Sequence, residues 1–334
     1  MSRNRRLKCR LSKESPAQSA GRMVHFPYTL VLTHDVDRLS LRSMPLLGRE
    51  QLALLRALLL GNLLRWLRGR LDIWDYLWSL VVAVSLPLVL LRLVPDPLER
   101  SIELVTTLED DYGARSTFFF IPLANEPGHV TSDTPAVKHR AASYRLAEHA
   151  RLVRALVAGG WEVGVHGIDC HISPVPAARE RDELAALVGP DYPIGVRMHW
   201  LFSSPVLYRN LAQAGYVYDA TLGSNDEIGF PEGRYKPFRD DATGLIIVPL
   251  CIQDVTLLRE DHMNLEPEQA WRRITMVLTK AREHRAVVTV LWHNDSFLPP
   301  RCWGGLYRRL LERARDDGAR ILSIQELLRD EQLL

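Results

Sequence analysis

No glycine-rich phosphate loop is present in this 334-residue chain: neither GxGxxG nor GxxxxGK[ST] follows any stretch that reads as a strand. That absence argues against a site built on nucleotide phosphates. The four cysteines (Cys9, Cys170, Cys251, Cys302) are scattered and form no CxxC pair, so a disulfide framework is not expected. Residues 1–24 lack the apolar core of a secretory signal, and together with the sparse cysteines this points to the cytoplasm. A net charge of +2 gives no case for a nucleic-acid partner. No internal repeat is visible. What remains is ordinary for a globular chain, 47% hydrophobic and 25% charged, and long enough for one α/β domain with a sizeable core.

The stretch that organises the chain is Tyr28–Asp37, YTLVLTHDVD. Thr29–Thr33 is apolar and β-branched, the signature of a buried strand, and it runs directly into His34, Asp35 and Asp37. Carboxylates are seldom buried without a partner, so a cation is expected above the end of this strand; ordinary turn aspartates are the alternative. Later strands end the same way. The pattern predicts strands at 115–121, 161–165, 193–197, 216–219, 245–250, 287–292 and 320–324. Helices are predicted at 97–112, 141–158, 177–188, 205–214, 267–284 and 305–316. Strands alternating with helices mean parallel βα units, a doubly wound sheet or a barrel. In such folds the carboxyl ends of the strands share one face, where sites are built. Exits here carry Asp35, Asp37, His166, Arg197, His199, Asp219 and His293. Imidazoles, carboxylates and an arginine converging on one face suit a hydrolytic metal site. The long loop 222–241 is a candidate substrate loop.

One segment breaks the alternation. Residues 44–94 are leucine-dominated, with Trp66, Trp74 and Trp78 and five arginines from Arg49 to Arg70. A helix is expected over 51–70, followed by the most apolar run, 73–94. If Asp37 and residues beyond 117 share a site, a single membrane span between them is excluded. The insertion is then either membrane-interfacial, helped toward anionic lipid by the basic residues of the 1–24 tail, or a soluble helical element forming an oligomer interface.

The order of these elements resembles the polysaccharide deacetylase family, also called NodB-homology or carbohydrate esterase family 4. THDVD (33–37) matches its first motif in a D-x-D form, and HGIDCH (166–171) is similar to the second. VRMHW (196–200) stands at the arginine motif, YDAT (218–221) at the fourth and LWH (291–293) at the last. The resemblance runs from Tyr28 to the C-terminus apart from 44–94. It implies a distorted (β/α)7 barrel and a divalent metal, with zinc the expected ion. Carried over, Asp35 would be the general base, paired with Arg197. Asp37 and His166 would be ligands, with His171 or Asp169 as the third. His293 would be the general acid, oriented by Asp219. The family spaces its second-motif histidines four apart, here five, and His199 replaces the proline of its Arg-x-Pro, adding a further candidate ligand or substrate contact. Asp254 and Trp303 are further candidate substrate contacts, Trp303 for a sugar face. The expected activity is N-deacetylation of a sugar. A cytoplasmic location favours a lipid-linked or nucleotide-linked intermediate of surface-polysaccharide assembly over cell-wall glycan. The alternatives are another carbon–nitrogen hydrolase of the allantoinase-like kind and a non-catalytic glycan-binding relative.

Overall fold

The computed structural model describes residues 26–43, 48–126, 128–129 and 140–334; the basic tail lies outside the described residues. The strands are β1 (Thr29–Val36), β2 (Thr117–Phe120), β3 (Glu162–Gly167), β4 (Val196–Met198), β5 (Tyr218–Asp219), β6 (Phe238–Arg239), β7 (Ile246–Ile247), β8 (Leu250–Gln253), β9 (Val287–Leu291) and β10 (Arg320–Leu322). They form one curled sheet in the order β6-β7-β5-β4-β3-β2-β1-β9-β8, with β10 added beside β1. Every pairing is parallel except β6 with β7. Strands buried on both faces should read as continuous apolar runs, and β2 (TFFF) and β9 (VVTVL) are buried at every residue. The segment 246–253 pairs first with β5 and then with β9, the latter pairing carrying a register shift between Leu250 and Ile252. It therefore joins the two edges of the curl, and β1, β2, β3, β4, β5, β7/β8 and β9 make the (β/α)7 arrangement expected from the sequence.

The helices are α1 (Arg49–Arg56), α2 (Asn62–Leu67), α3 (Ile73–Leu90), α4 (Ser101–Asp110), α5 (Ala150–Ala158), α6 (Pro174–Val188), α7 (Leu207–Ala214), α8 (Asp254–Leu258), α9 (Pro267–His284), α10 (Gly304–Asp316) and α11 (Ile324–Asp330). One apolar cluster packs α4–α7 on β2–β4 and a second packs α9 and α10 on β1, β8 and β9. A third joins Phe119, Tyr218, Ile246 and Val287 to Ile324 and Leu327 of α11. Close packing there demands Gly195, where an added Cβ would lie 1.9 Å from the Tyr218 ring. The helix expected over 141–158 begins only at Ala150. The Tyr144 hydroxyl donates to the Val36 carbonyl (2.6 Å) and accepts from the Ile121 amide (2.9 Å), which pins the preceding stretch across the strand ends instead.

The insertion between β1 and α4 is helical, as expected, but the run 51–70 is interrupted. A wide turn at Ala57–Gly61 separates α1 from α2. Leu58, Val82 and Ala83 form a small core, and the buried Asn62 amide donates to Ser79 Oγ (2.7 Å). Arg65 ties the insertion to the barrel by donating to the carbonyls of Pro300 (2.6 Å) and Arg301 (2.9 Å). Among the described residues α3 is long and apolar enough to cross a membrane, with a mean hydropathy of 1.8. Its outer face leaves Trp74, Val81 and Val84 exposed at 73, 64 and 77%.

Candidate metal centre

β1 supplies the centre of the site because side chains alternate along a strand. Thr33, Asp35 and Asp37 share one side, and His34 and Val36 point to the other. Asp37 meets His166, at the end of β3, and His199, just past β4. The Asp37 Oδ1 lies 3.4 Å from His166 Nε2 and 3.5 Å from His199 Nε2, and one donor atom from each of the three lies within 4.8 Å of the others. Each imidazole is fixed through its far nitrogen: His166 Nδ1 donates to the Arg197 carbonyl (2.9 Å), and His199 Nδ1 to the Arg140 carbonyl (3.1 Å). A carbonyl can only accept, so Nε2 of both rings keeps its lone pair toward Asp37, the tautomer a metal ligand requires. Asp37 Oδ1 and His166 Nε2 are buried and have no hydrogen-bond partner. A carboxylate and two imidazoles with unpartnered inward atoms fit a divalent cation of the zinc type.

The electrostatics agree. Burial opposes the charge on Asp37, but the neighbouring His199, His166 and His293 outweigh it and hold the carboxyl well below its ordinary range. Burial, with His166 and Arg140, pushes His199 down to about 4 against the pull of Asp37, keeping it neutral near pH 7.

Beside the three donors stand a carboxylate and an imidazole of contrasting situation. Asp35 Oδ1 is held by Arg197 Nη1 at 3.1 Å, and its Oδ2 faces His166 Nε2 at 3.6 Å. Arg197 is itself fully buried, donating to Thr33 Oγ1 (2.7 Å) and the Ala220 carbonyl (3.0 Å), with its guanidinium over the Phe119 ring. At the other oxygen of Asp37, His293 presents Nε2 at 4.0 Å from Oδ2. Its Nδ1 donates to Asp254 Oδ1 at 2.8 Å, while Asp254 Oδ2 accepts from the His293 amide (2.8 Å) and from Ser296 Oγ. Burial works against the imidazolium, but Asp254 and then Asp37 carry the His293 pKa up to about 9. Asp35, Asp37, His166, His199 and His293 line a cavity of ≈ 390 Å³ whose wall also includes Trp200, Asn225, Gln253, Arg259, His262 and Arg301.

The structure thus brings together Asp35, Asp37, His166, Arg197, His199, Asp254 and His293. It does not bring the remaining candidates in. His171 packs edge-on against Phe202 (4.5 Å) and is not one of the three clustered donors. Asp169 turns outward to His129 (2.7 Å). The cause is Glu180 on α6, whose carboxylate accepts the amides of Ile168 (2.8 Å) and Asp169 (2.7 Å) and folds the post-β3 loop away. Asp219 accepts the amide and hydroxyl of its own near neighbour Thr221; burial raises its pKa to about 7. The partner of His293 is Asp254, which the sequence reading had placed among substrate contacts. Trp303 sits behind Arg301, with the guanidinium 5.3 Å over its ring, and does not line the cavity. The 222–241 loop contributes Asn225, which donates to the Trp200 carbonyl (3.0 Å).

A curled parallel α/β sheet with a metal-type donor set at its strand exits defines the NodB-type barrel class. Solved structures of that class align over nearly the whole chain. A candidate polysaccharide deacetylase from Mycobacterium smegmatis covers 96% of each chain at 15% identity and a TM-score of 0.53. A probable polysaccharide deacetylase from Pseudomonas aeruginosa PAO1 covers 91% of each at 11% identity and 0.54. Puue allantoinase covers 92% of this chain and 91% of its own at 10% identity and 0.55. No family model matches the sequence, and no curated protein does. The chain therefore has the fold of the polysaccharide deacetylases.

Proposed function

We propose that this protein is a metal-dependent amide hydrolase that removes an N-acetyl group from a sugar. The observation that carries the reading is the juxtaposition, around Asp37, of two ligand-tautomer histidines, an arginine-held carboxylate and a carboxylate-held imidazolium. A divalent ion bound by Asp37, His166 and His199 would supply a Lewis acid for the amide carbonyl and lower the pKa of water. Asp35, anchored by Arg197 through one oxygen, has the other free to take the proton of the attacking water. His293, protonated through its pairing with Asp254, has Nε2–H directed into the cavity to protonate the leaving nitrogen. His166, which Asp35 faces, approaches Asp37 at Oδ1, whereas His293 approaches it at Oδ2, so base and acid are distinct groups on the same cavity.

The substrate we favour is a lipid-linked N-acetylated sugar of surface-polysaccharide assembly, with the protein in the cytoplasm and peripheral on its membrane. Support comes from the exposed apolar face of α1–α3. A zinc-loaded preparation should release acetate from a lipid-linked N-acetylhexosamine and lose this activity in Asp35→Asn. Absence of acetate from every N-acetyl sugar tried, with the metal bound, would overturn the reading. Cyclic-amide hydrolysis is the second reading, favoured by the alignment with an allantoinase. Ring opening of allantoin by the loaded protein would select it.

A further inference from the structure

A second cavity of ≈ 370 Å³ lies between the insertion and the barrel. Its apolar wall includes Leu41, Leu54, Ala57, Val82, Leu98 and Leu298, and its polar members are Arg38, Glu50, Asp295 and Arg301. The volume is within the roughly 300–1,000 Å³ typical of small-ligand sites. Arg301 lines this cavity and the metal-centre cavity alike. Its Nη1 is held by Asp295 at 2.5 Å and Ser296 Oγ at 3.3 Å, which fixes the guanidinium at the boundary. Arg38, at the end of β1 and exposed, stands one residue from Asp37. The helices that wall this space are those whose outer faces expose Leu52, Leu60, Val81 and Val84.

The leucine-lined space opens beside the proposed hydrolytic centre, and its polar groups are two guanidiniums and the carboxylates of Glu50 and Asp295, of which Asp295 engages Arg301 through Nη1. With the rest of the Arg301 guanidinium and the exposed Arg38 turned to an anion, it suits a molecule with a hydrocarbon, an anion and an amide in that order. Guanidinium is the side chain best matched to a phosphate, whereas an aliphatic wall offers a nucleotide base no hydrogen bonds. Building on the deacetylase reading, we propose that the second cavity holds the proximal hydrocarbon of a lipid phosphate-linked sugar. Arg38 and Arg301 meet the phosphate, and the N-acetyl group reaches the metal centre. The insertion is then part of the substrate site as well as a membrane-facing element.

The test is binding of farnesyl phosphate to the full-length, zinc-loaded protein, which needs no turnover. Saturable binding is expected, weakened about tenfold or more by Ala57→Trp, which fills the cavity, and by Arg38→Ala, which removes a phosphate contact. Geranyl phosphate should bind far more weakly, because each buried methylene contributes roughly fourfold in affinity. Met276→Trp, on the exposed face of α9, is the control and should bind as wild type. No saturable binding by the wild type, or equal affinity in wild type and Ala57→Trp, would overturn the proposal. Acetate release reports the deacetylase reading separately. Farnesyl phosphate binding without acetate release from any sugar would sink that reading and leave the lipid cavity standing. Acetate release without farnesyl phosphate binding would do the reverse.

Discussion

Asp254→Asn should move the alkaline limit of the reaction by removing one charge while keeping a hydrogen bond. In the wild type His293 is raised to about 9 because Asp254, followed by Asp37, outweighs the cost of burying an imidazolium. Asparagine can still accept from Nδ1–H, so the ring orientation survives, but the attraction is gone and burial now dominates. The pKa should fall to the ordinary value of about 6.5 or lower. At pH 8 an acid of pKa 9 is about 90% protonated and one of pKa 6.5 about 3%, a loss of roughly thirtyfold in the active form. A divalent cation beside Asp37 lowers both values, so the loaded enzyme's limb lies below 9; the difference made by Asp254 keeps its sign. The assay is kcat/KM against pH from 5 to 10 for both zinc-loaded proteins. The variant's alkaline limb should lie well to the acid side, with much of the activity recovered at the low end of the range. An unmoved limb, or a profile lowered equally at every pH, would refute the assignment of His293 as the acid tuned by Asp254. Stability follows the same shift with a definite sign. A pKa higher in the folded than in the unfolded chain stabilises fully below about 6.5 and loses its effect as pH rises to about 9. For the metal-free protein that loss is on the order of 3 kcal/mol, and it should be visible in denaturant midpoints across that window.

Metal content separates the ligand candidates: Asp37→Ala and His199→Ala should each lose the bound ion on dialysis, while His171→Ala and Asp169→Ala should retain about one per chain, by plasma emission spectroscopy. Leu86→Ala, at a fully buried position of α3, should destabilise by about 2–5 kcal/mol in urea titrations, because the insertion is packed on the barrel. Val81→Asp with Val84→Asp, both on the exposed face of α3, should leave stability within about 0.5 kcal/mol yet reduce co-sedimentation with anionic vesicles. Vesicle binding unaffected by the pair would remove α3 from the membrane-facing surface.

Most of the barrel was legible because buried parallel strands need apolar runs, and β1, β2, β3 and β9 are built around LVL, FFF, VGV and VVTVL. Three site features were less so. The extra residue between His166 and His171 reads equally well as a stretched ligand loop. What turns this loop away from the three clustered donors is Glu180, twelve residues past Ile168, and no local pattern announces that a helix carboxylate will clamp two loop amides. His199 was visible as an oddity where the related motif carries proline. Its position as third donor depends on the turn after β4, where Trp200 and Leu201 take φ of 62° and 55°. Those are left-handed values that bulky residues rarely adopt, and nothing in the sequence forecasts them. Asp254 was missed as the partner of His293 because the two are separated by the whole of α9. Their neighbourhood comes from β8 and β9 pairing in parallel, a topological fact. A signal did exist: Asp254 is the first residue after β8 and His293 the second after β9, and adjacent parallel strands bring such exits together.

The most informative residue left unread was His34. Met in sequence, it belongs with Asp35 and Asp37 as one more group at the strand end. The pleat separates it from them: with a period of two, a strand that sends Asp35 and Asp37 into the site must send His34 the other way. There it is fully buried, its Nδ1 donating to the Trp292 carbonyl (2.7 Å) and its Nε2 facing Glu109 Oε1 of α4 at 2.9 Å. Glu109 also accepts from Tyr307 (2.8 Å), Ser116 (2.8 Å) and the Trp161 indole (2.8 Å). One carboxylate thus gathers donors from α10 and from the residues leading into β2 and β3, all behind the strand that carries Asp35 and Asp37. Removing one partner of a buried, fully hydrogen-bonded set leaves the others unsatisfied and costs several kcal/mol. The network therefore holds β1 in the register that aims Asp35 and Asp37, and His34 acts on the site through the backbone between them. Alternation along a single strand separates the two sides, with Asp35 and Asp37 turned to the candidate site and His34 to the anchoring network.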